Sequence, residues 1–264
     1  MIKRRLPLLV CDLDGTLLDS QSRVSRENQE ALEAFVGEGG LFTVATGRFR
    51  KAVELYRRQL PINAPAILVN GAVIYDFKSE LTLWENSLPI GSRQFIQDCM
   101  DAFPEMGVEI YQGDESFLIR PSAETQAHIL REKFEPVSAA LDAVPLPWQK
   151  VLFAWEPASL RAVDAWLKVR AMPFRYTFSE PQFLEILDVA ASKGSCLLRL
   201  VDLLGLSLDG VVAVGDNLND LEMIQIAGVG VAVANAHTEL KRIADRVTIH
   251  HDSHAVAEVI RGLL

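Results

Sequence analysis

Apolar positions along this chain fall into two alternating rhythms. Short, mostly apolar stretches occur at residues 6–12, 41–46, 66–70, 210–215, 229–233 and 246–249. Runs of that length predict strands buried on both faces. Between them, apolar residues recur every three or four positions, which predicts helices over 25–38, 49–60, 193–204, 218–226, 237–244 and 252–263. Ser25 is placed to cap the first helix, and Gly39-Gly40 closes it. Pro61 stops the second helix and Gly205 ends the third. Asn70-Gly71 predicts a hairpin-type turn into a further strand over 73–77. Strand–helix alternation of this kind predicts a doubly wound parallel sheet, an α/β fold with helices on both faces.

The middle of the chain has another pattern. Helices are expected over 92–103, 123–134 and 158–170, and strands over 108–112, 117–120, 150–155, 174–178 and 183–187. Paired strands between helices predict a mostly antiparallel sheet with helices on one face, an α+β domain inserted into the first. The expected division is residues 1–81 and 187–264 for the outer domain and 82–186 for the insertion, with the two crossings near Leu81 and Asp188 as a hinge. Val144-Pro145-Leu146-Pro147 is expected to be a loop, and Trp148, Trp155, Trp166, Tyr176 and Phe178 to fill the insert's core.

Composition narrows the partners. The chain has 264 residues, 49% hydrophobic and 23% charged, with a net charge of −9. That balance is ordinary for a globular protein and offers no basic stripe for nucleic acid. The opening Lys3-Arg4-Arg5 is too short to serve as a basic arm. No apolar run approaches the length of a membrane span, and Met1 leads almost directly into the first apolar run, so neither a membrane partner nor a signal peptide is expected. The three cysteines, Cys11, Cys99 and Cys196, lack metal-ligand spacing. They are expected to be buried thiols of a reducing, cytoplasmic compartment. Oligomeric state is not legible.

The candidate chemistry lies where strands are expected to end. Ligands of open α/β sheets bind beyond the carboxyl ends of strands. The first strand runs into Cys11-Asp12-Leu13-Asp14-Gly15-Thr16-Leu17-Leu18. A turn needs one Asp; two, spaced by one residue, can hold a hard cation and offer a carboxylate nucleophile. The second strand ends in Thr46-Gly47-Arg48, a hydroxyl and a cation beside a helix start, where an anion is favoured. Ser192-Lys193-Gly194 opens a helix with a cation against the positive end of the helix dipole, a cost that a bound anion would relieve. A fourth strand ends in Gly215-Asp216-Asn217-Leu218-Asn219-Asp220, with a second acidic residue four positions after the first. The dipole alone accounts for Asp220 but not for the whole string.

Taken together, these four stretches resemble the four motifs of the haloacid-dehalogenase-like hydrolases, most of which are phosphatases. The middle of the chain resembles the α/β cap of their Cof-like subgroup. The resemblance implies a Rossmann-like core and a Mg²⁺-dependent hydrolysis of a small phosphorylated metabolite through an aspartyl-phosphate. It casts Asp12 as nucleophile and Asp14 as general acid and base. Thr46, Lys193 and Asn219 would bind phosphate, and Arg48 would contact substrate from the core side. Mg²⁺ would be held by Asp12, Asp216 and the Asp14 main-chain carbonyl, with Asp220 a ligand or a support. Family members that attack carbon halides lack the second Asp of the first motif, so Asp14 selects phosphatase over dehalogenase. Small sugar phosphates are the subgroup's usual substrates, and the cap would close over the site and choose among them. A phosphomutase of the same superfamily and a non-enzymatic phosphometabolite sensor are the alternatives. The resemblance carries nothing to His250, His251 and His254; Asp252 or Ser253 is expected to cap the last helix there, with the histidines solvated.

Overall fold

The computed structural model describes residues 7–264, so Lys3-Arg4-Arg5 and the expected strand start at Leu6 lie outside the described residues. The chain divides into two compact units, one of residues 1–84 and 192–264, the other of residues 85–191.

The first unit opens with β1 (Leu8–Cys11), α1 (Arg26–Gly37), β2 (Leu41–Val44), α2 (Arg50–Glu54), β3 (Ala66–Leu68), β4 (Val73–Asp76) and β5 (Leu81–Glu85). The second unit holds α3 (Ser92–Ala102), β6 (Gly107–Gln112), β7 (Glu115–Arg120), α4 (Ala123–Glu132), β8 (Val137–Ser138), β9 (Lys150–Ala154), α5 (Pro157–Lys168), β10 (Phe174–Glu180) and β11 (Phe183–Asp188). The first unit then resumes with α6 (Lys193–Leu203), β12 (Val211–Gly215), α7 (Leu221–Ile226), β13 (Val229–Ala232), α8 (Thr238–Ile243), β14 (Arg246–Val247) and α9 (Ala255–Arg261).

The main sheet of the first unit has the order β14-β13-β12-β1-β2, with every pair parallel. β1 is central. Val10 faces Thr43 on one side and Ala213 on the other, and every residue of β1 is buried. An unbroken apolar run suits a strand covered on both faces. From β1 the chain moves one way to β2 and later the other way to β12. Right-handed crossovers in opposite directions place their helices on opposite faces of the sheet. The packing of α1 on α9, and of α6 on α7, agrees with two helical layers. The order reversal between β1 and β12 makes a crevice at their carboxyl ends. β3, β4 and β5 form a separate three-stranded sheet, joined to the main one by a single parallel bridge from Ala45 to Ile67.

Two of the expected elements are shorter than the sequence pattern suggests. The helix expected over 49–60 is α-helical only over Arg50–Glu54, and tight turns carry the chain on to Leu60. The strand expected over 246–249 keeps only Arg246–Val247, both exposed, as befits a short edge strand. Leu81 opens β5 and Asp188 closes β11.

The second unit's sheet has the order β10-β11-β9-β6-β7-β8, antiparallel except for β7 with β8. One face presents Val108, Ile110, Val151, Phe153, Leu184 and Ile186 to apolar residues of α3 and α5, with Trp148 buried in the same core. Trp155, Trp166, Tyr176 and Phe178 pack against that core, as the sequence predicts. Side chains alternate across a sheet, so Glu109 and Tyr111 of β6 take the other face. There α4 brings His128 to Glu109, so the helices do not all share one face as the sequence suggested. The reason is a buried charge group that apolar periodicity cannot register.

Candidate active site

Asp12 follows the last residue of β1. Its backbone N–H donates to the Val214 carbonyl (2.9 Å), so it stands where β1 and β12 end side by side. The chain then turns tightly through Leu13–Leu17, with Gly15 at φ +76°. A Cβ on Gly15 would stand 2.5 Å from Asp216 Oδ2, so glycine is required both by the backbone and by the approach of that carboxylate. Thr16 Oγ1 donates weakly to Asp216 Oδ1 (3.4 Å). Asn235 supports the turn from behind, donating to the Gly15 carbonyl (2.8 Å).

Ser192 caps α6 and pairs reciprocally with Ser195. This places Lys193 in the first turn, fully buried, with Nζ 2.7 Å from Asp12 Oδ1 and 2.6 Å from Asp220 Oδ1. Asp220 Oδ2 accepts from the backbone N–H groups of Asp216 (3.0 Å) and Asn217 (3.2 Å). Burial works against charge on Lys193, but Asp12 and Asp220 overcome it and keep the ammonium protonated. Burial pushes the Asp12 carboxyl up to about 7, against the pull of Lys193 and with a further push from Asp220 and Asp14. Asp216 is held well above the usual carboxylate range, first by burial and then by Asp12 and Asp220.

Oxygen atoms of Asp12, Asp216 and Asp220 all lie within 4.8 Å of one another. Among the described residues one lysine faces these three carboxylates, and the Asp216 side chain has only the long Thr16 hydroxyl contact. An all-oxygen donor set whose three carboxylates outnumber their one cation by two fits a hard divalent cation. Both Asp220 oxygens are engaged by Lys193 and by backbone, so Asp12 and Asp216 are the better-placed donors, and Asp220 acts as a brace.

The other predicted residues gather at the same strand ends. Thr46 is buried, and its hydroxyl oxygen accepts from the Arg48 backbone N–H (3.1 Å), which leaves its O–H for a further acceptor. Asn219 lies in the turn before α7, and its Nδ2 donates to Asn70 Oδ1 (3.0 Å). Arg48 forks onto Asp14: Nε to Oδ2 and Nη2 to Oδ1, each 2.7 Å. A bidentate pair of this kind fixes orientation as well as charge. The Asp14 carboxylate is therefore turned to Arg48, and only its main chain remains for the metal role the sequence assigned.

The histidine loop departs from expectation. Asp252 spends its carboxylate on the Ser20 N–H (2.8 Å) and Oγ (2.6 Å). The residue before α9 is His254, in left-handed conformation and without a side-chain cap. His251 is half-buried, with Nδ1 2.7 Å from the Leu18 carbonyl. Sequence reasoning also missed Asn70 and Asn235. Asn70-Gly71 carried only a turn signal, and nothing near Asn235 in sequence pointed to Gly15.

Several known proteins are similar to this chain. Residues 9–260 match the haloacid dehalogenase-like hydrolase family. The phosphatase YwpJ of Bacillus subtilis is 30% identical, over 98% of this chain and 100% of its own. The 5-amino-6-(5-phospho-D-ribitylamino)uracil phosphatase YwtE of the same organism is 28% identical, over 97% of both chains. The crystal structure of a haloacid dehalogenase-like hydrolase from Bacteroides thetaiotaomicron superposes with a TM-score of 0.86 at 29% identity, over 98% of this chain and 100% of that one.

Proposed function

We propose a mechanism for a chain that belongs to the haloacid dehalogenase-like hydrolase family and is a phosphoric monoester hydrolase. The observation that carries it is the placement of Asp12 at the end of β1, held by Lys193 and facing Asp216 across the crevice. An Asp12 oxygen attacks phosphorus as the ester P–O bond breaks, giving an aspartyl-phosphate. Asp14 gives its proton to the leaving alkoxide. It then takes a proton from the water that attacks the phosphoenzyme, breaking the bond to Asp12 and releasing orthophosphate. Arg48 holds both Asp14 oxygens, so that fork must open for either transfer. Lys193, Thr46 and Asn219 hold the phosphoryl oxygens where transition-state charge gathers. Mg²⁺ held by Asp12, Asp216 and the Asp14 carbonyl would supply the charge that lets a phosphate dianion enter this crowd of carboxylates.

The substrate proposed is a small phosphorylated metabolite, a sugar phosphate in the first instance. A relative named for a phosphorylated ribityl chain supports a polyol-like leaving group.

The test uses purified protein and p-nitrophenyl phosphate. Turnover should vanish with excess chelator and return with Mg²⁺. Asp12→Asn should lower kcat by at least about 10³-fold, since an amide cannot form the acyl-phosphate. Beryllium fluoride should protect the wild type but not this variant against thermal unfolding. Wild-type turnover by Asp12→Asn, with deamidation excluded by mass, would overturn the assignment.

A further inference from the structure

Three consecutive residues, Val69, Asn70 and Gly71, have φ of +52°, +52° and +90°. Glycine takes such values freely and asparagine tolerates them, but a β-branched valine does so only where the surroundings impose it. Strain of this kind persists where it serves a site. The surroundings here are the three phosphate-facing strand ends. The Val69 N–H donates to the Arg48 carbonyl (3.1 Å) and the Asn70 N–H to the Thr46 carbonyl (2.9 Å), lashing the turn to the Thr46 loop. A Cβ on Gly71 would collide with the Ser192 carbonyl, so the turn also lies against the start of α6, beside Lys193. The Asn70 side chain is buried, and its Nδ2 occupies the space a Cβ on Gly47 would need, 3.0 Å away. Its Oδ1 accepts from Asn219 Nδ2 (3.0 Å).

We infer that Asn70 is a positioning residue of the phosphate site, acting through Asn219; this rests on the phosphatase reading above. A phosphoryl group is an acceptor only, so Asn219 must offer it an N–H. The Asn219 carboxamide does not orient itself, for its Oδ1 is buried with no protein partner. Asn70 Oδ1, itself only an acceptor, selects the orientation. A flipped Asn219 would set two carbonyl oxygens against each other, while the present one leaves the second Nδ2 proton for the phosphoryl.

The experiment is a double-mutant cycle of Asn70→Gly and Asn219→Ala, read as orthophosphate affinity in the presence of Mg²⁺ and as kcat/KM on p-nitrophenyl phosphate. Glycine keeps the left-handed backbone and removes only the carboxamide. Each single variant should weaken orthophosphate binding about tenfold, the size of one lost hydrogen bond to a charged group. The double variant should be no worse than either single, and Mg²⁺ affinity should stay at the wild-type value, which a general collapse of the site would not allow. Wild-type orthophosphate affinity in Asn70→Gly, or losses that multiply in the double variant, would overturn the inference. Wild-type protein that binds orthophosphate but hydrolyses no ester would overturn the phosphatase mechanism while leaving the cycle readable from binding alone. Wild-type protein that binds no orthophosphate would overturn both.

Discussion

Lys193 shows how one side chain ties distant parts of the chain together. Its ammonium is the cation between Asp12 and Asp220, and all three groups are buried. Removing one member of a buried ion group leaves uncompensated charge and costs about 3–5 kcal/mol. Lys193→Met keeps much of the volume and loses the charge. It should abolish turnover and lower the urea midpoint, and Mg²⁺ should restore part of the midpoint but none of the activity. A variant as stable as wild type in the absence of metal would show that the carboxylates are neutral there. Gly15 gives an independent check. Gly15→Ala brings a methyl group onto Asp216 in a backbone region alanine avoids, so calorimetric Mg²⁺ affinity should fall at least about tenfold. Both residues stood out in the sequence, because a turn glycine beside two acids and a helix-opening lysine are local signals. Asp220 was marked too, but not as the partner of Lys193: it lies 27 positions away, and no periodicity links them.

At the scale of elements, α4 is tied to its sheet by charge. His128 Nδ1 lies 3.0 Å from Glu109 Oε2 of β6, and its Nε2 lies 3.0 Å from Glu132 Oε1 on its own helix. The Tyr111 hydroxyl donates to the same Glu109 oxygen (2.7 Å). Burial works against the imidazolium, but Glu132 and Glu109 overcome it and raise His128 from 6.5 to about 10. The sign follows from linkage. A group raised on folding gives stability that is fully present below its unfolded value and is lost as pH rises through the folded one. Wild-type protein should therefore lose stability from about pH 6.5 to about pH 10, and His128→Gln should lose less over that window. Urea midpoints across that range check this; parallel curves for the two proteins would remove His128 from the account. The sequence placed α4 correctly, within a residue or two of its ends. It could not say which face of the sheet α4 covers, because helical periodicity shows that a helix has an apolar stripe, not what lies beneath it.

Across the whole molecule, the second unit is complete in its own core. Every member of its apolar cluster, from Leu88 to Ile186, belongs to residues 85–191. Those residues expressed alone should unfold in one cooperative transition and keep Trp148 shielded, seen as blue-shifted fluorescence that shifts red on unfolding. A fragment with an exposed tryptophan and no transition would show that this core depends on the first unit. The sequence by itself determined the α/β alternation and the strand ends at which its acidic and hydroxyl residues stand. These are local properties: an apolar run ends, a turn follows, and the residues at that turn are adjacent in the chain. What the tertiary structure alone decided is which groups answer one another. Arg48 grips Asp14 across 34 positions, and Asn219 reaches Asn70 across 149. Charge neutralisation and hydrogen-bond partnership depend on separation in space, and in a doubly wound sheet the strand ends that meet at the crevice come from opposite ends of the chain.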